Sequence, residues 1–167
     1  TYLVAPTRRA AEALGVEGSV LSFAHTERGL FLLTEDFTHP ARLWGPLGVY
    51  DPNEGVSLPL VEPIYTEWPS PEGHRVPGWV LLPEGQGPHP VILYIHGGPH
   101  TAFGRAPMLE LQLFRQAGYA VAFANPRGST GYGQDFALLQ GEWGERDERD
   151  LLGFLDHVLA RFPLDPG

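Results

Sequence analysis

The alternation of apolar and polar positions changes character around residues 56–59, and that change divides the chain. Before it, residues 16–24 and 29–34 read as short strands with a turn over 25–28. HPARLW (39–44) predicts a third strand before the turn-rich stretch 51–55. Short strands separated by turns at such intervals predict an antiparallel β unit. A unit this small leaves open edges that need neighbours. Residues 7–14 read either as a short helix or as a surface loop, and the strand pattern has no second copy in the chain.

After the change, residues 61–68 and 75–82 flank a charged, proline-containing tip (69–74) and predict a β-hairpin. PEGQGPHP (83–90) is a loop. VILYI (91–95) then reads as a buried parallel strand running into HGGPH (96–100), because an apolar β-branched run ends there in Gly and Pro. Across 106–117, Met108, Leu109, Leu111, Leu113 and Phe114 form a helical apolar face, and Gly118 ends it. YAVAFA (119–124) predicts a second buried strand, which completes a βαβ unit. NPRGSTGYG (125–133) is a loop at its carboxyl end and 134–140 a short helix. Leu151, Leu152, Leu155, Val158 and Leu159 then mark a helix over 147–162, with Glu145, Asp147 and Glu148 where its dipole favours anions. Pro163 and Pro166 end that helix, and the next parallel strand of an alternating fold is expected beyond the last residue.

A hydrophobic content of 43% suffices for packed cores, and a net charge of −9 opposes binding to nucleic acid or anionic membranes. All 11 basic residues are Arg, a bias that carries no functional reading. The absence of cysteine excludes disulfides, thiol nucleophiles and thiolate metal sites, and fits a reducing compartment. With no apolar run of bilayer length and no signal-like amino terminus, the expectation is a soluble cytoplasmic protein.

The chemistry concentrates in the two glycine loops. Gly97 and Gly98 lack Cβ atoms, so the backbone can turn there and present bare N–H groups at a strand's carboxyl end, the geometry of an oxyanion hole. His96 and His100 have the i, i+4 spacing of metal ligands, but that spacing serves only on a helix, which two glycines and a proline forbid. No metal is expected. His96 is expected to brace the loop through ring hydrogen bonds to nearby backbone. NPRGSTGYG matches no phosphate-binding pattern, and the chain has no Lys, so no cofactor is implied. Ser129 lies in R-G-S-T-G rather than the G-x-S-x-G of a nucleophile elbow and is expected to form a turn. Asp147 and Asp150 are expected as solvated residues at a helix start, and Trp143 and Tyr132 as packing residues.

The strand ending in HGGPH, the NPRGSTGYG loop and the acidic helix running to FPLDPG together resemble the prolyl oligopeptidase family of serine peptidases, nearest its acylaminoacyl-peptidase branch. The resemblance implies an α/β fold: an incomplete α/β-hydrolase sheet preceded by short antiparallel strands of a terminal propeller blade. Residues 1–58 would be the end of the β-propeller domain and 59–167 the amino-terminal half of the hydrolase domain, stopping before the nucleophile elbow. It also implies that Gly98 N–H is one oxyanion-hole donor, that Arg127 supports the active-site floor, and that the nucleophile, acid and base lie outside this chain. The implied activity is hydrolysis of peptides or acylaminoacyl peptides through an acyl-enzyme, with this chain inactive alone. The expected partners are a peptide substrate and the remainder of the polypeptide or a companion chain; homo-oligomerisation stays open. The alternatives are part of an α/β-hydrolase esterase, or a non-catalytic piece that associates with the rest of the protein.

Overall fold

The computed structural model describes residues 2–4, 11–13, 16, 18–98, 100–139, 141–165 and 167. The chain divides into one unit of Thr1–Leu60 with Gly104–Pro107 and a second of Val61–Phe103 with Met108–Gly167.

In the first unit β1 (Tyr2–Val4) pairs antiparallel with β2 (Ala11–Ala13). Part of the segment read as helix or loop is therefore strand; its other residues, 7–10 and 14, lie outside the described ones. A meander follows: β3 (Ser19–Thr26), β4 (Gly29–Glu35), β5 (Arg42–Gly45) and β6 (Gly48–Tyr50), hydrogen-bonded in that order. The first three are the expected strands. Tight reversals join β3 to β4 and β5 to β6, and Gly29 and Gly48 follow them at φ +119° and +116°, where glycine alone is unstrained. The fourth strand has three residues, too few to show an alternation. In β4 Leu32 and Thr34 are buried, whereas Phe23 on β3 and Tyr50 on β6 stay exposed, so part of this sheet carries apolar groups that no described residue covers.

The second unit holds the expected hairpin, β7 (Ile64–Pro69) and β8 (Arg75–Leu81), paired from Ile64 opposite Val80 to Pro69 opposite Arg75. Then come β9 (His89–Tyr94), α1 (Leu109–Gln116), β10 (Ala120–Ala124), α2 (Gln134–Ala137), α3 (Arg146–Leu159) and β11 (Leu164–Asp165). The sheet order is β11-β9-β10-β8-β7; β9 runs parallel to β10 and to β11, and β8 antiparallel to β7 and β10. Beside the antiparallel β unit, this is a partial α/β-hydrolase sheet. Two details depart from the sequence reading. The strand expected beyond the last residue has already begun, with Leu164 opposite His89 and Asp165 opposite Pro90. The run 91–94 is half-buried rather than buried, and Ile95 is exposed. Pairing with β11 reaches only the start of β9, so among the described residues the carboxyl half of β9 is paired with β10 alone.

The core lies between the sheet and α3. Phe154 and Val158 pack with Val76, Val80 and the alanines of β10, all with no exposed area. Small residues bring the helix close: a Cβ on Gly78 would sit 2.5 Å from the Phe154 ring, and one on Gly153 would overlap the Trp68 indole. Leu111 of α1 is also buried.

Candidate functional site

β9 and β10 run parallel and in register, Tyr94 opposite Phe123, so the loops leaving their carboxyl ends stand side by side. That edge is where open α/β sheets place ligands. The loops and the start of α3 enclose a cleft of about 390 Å³, whose lining includes Gly97, Gly98, Ser129, Trp143 and Asp147. Gly98 and Gly97 are both exposed. Gly98 has φ +75°, in the left-handed region, and a Cβ on either glycine would meet nothing within 4 Å. Gly98 is thus demanded by backbone conformation, and the space above it is open to a ligand.

His96 braces this loop through a different partner from the expected backbone. Its Nε2 lies 3.1 Å from the Ser129 hydroxyl, its ring stands edge-on to Phe103 with centroids 4.9 Å apart, and its buried Nδ1 has no hydrogen-bond partner among the described residues. Burial holds its pKa below the ordinary histidine value. Ser129 forms the expected turn, its N–H donating to the Pro126 carbonyl at 3.1 Å, and its hydroxyl is committed to His96. His100 stands edge-on to Trp143, and residues 96–98 and 100 are not helical, so the i, i+4 spacing does not place His96 and His100 on one helix face. Trp143 packs against Gly128, where a Cβ would sit 2.7 Å from the indole, although about half of the side chain stays exposed.

Beneath the cleft lies an ion network. Arg127 donates from its backbone N–H and Nε to Asp150 Oδ2, both at 2.9 Å, and from Nη2 to Asp150 Oδ1 at 2.8 Å. His74 Nε2 is 3.0 Å from Asp150 Oδ1, and Glu72 takes Arg127 Nη1 at 2.5 Å and Arg149 Nη1 at 2.6 Å. Asp150 is therefore a fully buried anion and not a solvated residue at a helix start, while Asp147 accepts Gly144 N–H at 2.7 Å and stays apart from it. The Arg127 guanidinium, then Arg149, hold Glu72 down at a pKa of about 2. Arg127 itself is pushed above its usual range by Asp150 and Glu72 in spite of burial, which opposes the charge. Arg127 thus pins its loop to α3 and to the hairpin tip.

Sequence reasoning missed Asn125, Glu72 and His74. Asn125, fully buried, directly follows a buried strand, and a polar residue there was a visible signal. Glu72 and His74 meet Arg127 and Asp150 across 55 and 76 residues of sequence, a separation that leaves no local trace.

A parallel strand pair joined through a helix, an antiparallel hairpin beside it and a glycine loop over the strand ends define the opening part of an α/β-hydrolase domain. Residues 106–167 match the model of the prolyl oligopeptidase family. The chain is 39% identical over 109 residues to an uncharacterized peptidase of Bacillus subtilis, YuxL, covering 62% of this chain and 17% of that protein. It is 40% identical over 91 residues to the human acylamino-acid-releasing enzyme, covering 52% of this chain and 12% of the enzyme. The solved structure of Pyrococcus horikoshii acylaminoacyl peptidase superposes with a TM-score of 0.78 at 34% identity, over 86% of this chain and 24% of that one. By these matches the chain resembles the prolyl oligopeptidase family and is acylaminoacyl-peptidase-like. It spans about a quarter of that solved structure and less than a fifth of those curated relatives.

Proposed function

We propose that this chain is part of a serine peptidase that hydrolyses peptides or acylaminoacyl peptides through an acyl-enzyme, and that it supplies one oxyanion donor, the N–H of Gly98. The observation that carries the reading is the exposed, left-handed glycine in the loop after β9, which lines the cleft and where an added Cβ would meet nothing within 4 Å. Such a donor acts where charge develops in the transition state and is worth about 10²–10³ in turnover.

The cleft's own residues do not make a nucleophilic centre. Ser129 is 1% exposed, and among the described residues no carboxylate meets the His96 Nδ1 to orient the ring. The nucleophile, acid and base therefore come from polypeptide outside these residues, either the rest of the same protein or a companion chain. The substrate is a peptide, with neither nucleic acid nor membrane as partner, and the compartment is the cytoplasm. Among the described residues no helix is long and apolar enough to cross a membrane.

The isolated chain, assayed with an acyl-amino-acid nitroanilide, is expected to show no turnover. Adding a companion polypeptide that carries a G-x-S-x-G elbow should restore it, and turnover by the chain alone would refute the assignment. Activity of the restored complex on short acyl esters but not on blocked peptides would favour an esterase instead.

A further inference from the structure

Asn125 is fully buried at the point where the chain leaves β10, and its hydrogen bonds reach across to the glycine loop. Its Oδ1 accepts the Phe103 N–H at 2.7 Å, and its Nδ2 donates to the Phe103 carbonyl at 3.0 Å and to the Tyr132 hydroxyl at 2.8 Å. Its own backbone N–H donates to Pro77 at 2.8 Å, which ties it to β8. The side chain thus pairs with both peptide groups of Phe103 as a neighbouring strand would, at a place where the loop has left the sheet. Only a carboxamide presents an acceptor and a donor side by side in this way. A carboxylate would set an oxygen against the Phe103 carbonyl, and an apolar residue would leave two backbone groups without partners.

Phe103 lies within the connection that leaves β9 at Ile95 and precedes α1. Its ring packs edge-on against His96 at 4.9 Å and Phe123 at 5.3 Å, so anchoring Phe103 also seats the histidine that precedes the two glycines. Glycines order poorly by themselves, and the direction of the Gly98 N–H must be imposed by what holds the loop at its two ends.

We propose that Asn125 is a positioning residue for the oxyanion loop: by clamping Phe103 it fixes the orientation of the Gly98 N–H. The proposal rests on the oxyanion reading of Gly98, and its test is independent of that reading. Backbone order parameters of the ¹⁵N-labelled 167-residue chain are compared for the native sequence, Asn125→Asp and Tyr132→Phe. Native Gly98 and Phe103 should show the ~0.85 of rigid backbone, falling below ~0.6 in Asn125→Asp while β8 and β10 remain protected. Tyr132→Phe removes one partner from a half-exposed ring and should loosen the same two amides by less. Rigid Gly98 in a folded Asn125→Asp chain overturns the proposal. Should that variant fail to fold, unchanged amides at Gly98 and Phe103 in Tyr132→Phe overturn it. In the complex restored with the companion polypeptide, Asn125→Asp should lower kcat, by up to the ~10²–10³-fold of a lost donor, with KM unchanged. Loosened Gly98 with unaltered kcat would support the clamp and sink the oxyanion reading.

Discussion

Replacing Asp150 by Asn weighs the buried ion network with almost no change of shape. Asp150 has no exposed area and the Arg127 side chain is 8% exposed, so solvent screens little of their attraction. The carboxylate accepts three N–H groups of Arg127 at 2.8–2.9 Å and faces His74 Nε2 at 3.0 Å. A carboxamide keeps one acceptor oxygen and turns its NH₂ toward donors on the other side, which leaves a buried guanidinium facing a neutral group. Breaking a buried pair from one side costs about 3–5 kcal/mol. Glu72 remains on Arg127 Nη1 and still compensates the charge, so the lower end applies, about 3 kcal/mol. At a urea dependence of about 1–3 kcal/mol per molar, the unfolding midpoint should fall by about 1–3 M with the slope unchanged. The assay is equilibrium urea unfolding at pH 7, followed by circular dichroism. Arg149→Ala, which removes an exposed partner of Glu72, is the control and should not move the midpoint measurably. A loss below about 1 kcal/mol for Asp150→Asn would refute the reasoning, since it would make the buried pair no stronger than a surface one.

Three further outcomes are expected. Gly98→Ala should cost about 1–2 kcal/mol for its left-handed backbone, whereas Gly97→Ala, outside that region and meeting nothing within 4 Å, should stay within about 0.5 kcal/mol; equal melting temperatures would contradict this. Gly78→Ala should lose about 1–3 kcal/mol because its Cβ would lie 2.5 Å from the Phe154 ring and 2.7 Å from the Phe123 carbonyl oxygen, and a native midpoint would show that α3 yields freely. Burial lowers the His96 pKa, so as pH falls through the ordinary value of 6.5 the unfolded chain takes up the proton first; stability is complete above that pH and declines below it until the folded histidine also protonates. His157 is lowered by burial and by Arg161 and adds in the same direction. His96→Gln should therefore flatten part of the fall in urea midpoint between pH 7.5 and 5.5, and an unchanged slope would count against the assignment.

Much of the second unit was legible because its elements announce themselves locally. The hairpin 64–81, the apolar face of α1, the run of β10 and the acidic start of α3 all follow from period and punctuation within a dozen or so residues. The burial of 91–95 was misjudged because apolar runs report what a strand prefers, whereas its burial depends on a neighbour, and β11 pairs only with its first residues. The loops were legible as glycine punctuation, whereas Gly98 was singled out from Gly97 only by the family resemblance. The chemistry that supports them was not. Asp150 read as a solvated helix residue since charge near a helix amino terminus has a sufficient local explanation, and only the fold brings Arg127 and His74 onto it.

The distribution of glycine and ion pairs across the site follows from one requirement. On the reading proposed for Gly98, its N–H is aimed at developing charge from a conformation that side chains resist, φ +75°, and a glycine there offers no side chain of its own to keep the loop in place. Order must then be supplied by what packs on the loop, and much of it comes from the segment that follows β10. Asn125 holds Phe103, Ser129 holds His96, and the Thr130 N–H donates to the Thr101 carbonyl at 3.0 Å. That segment turns at Gly128, φ +98°, so it too needs an external hold, and Arg127 provides it through Asp150 on α3 and Glu72 on the hairpin tip. The buried charges stand one layer below the cleft, where the glycine loop rests on a second loop that is itself pinned to α3 and the hairpin tip.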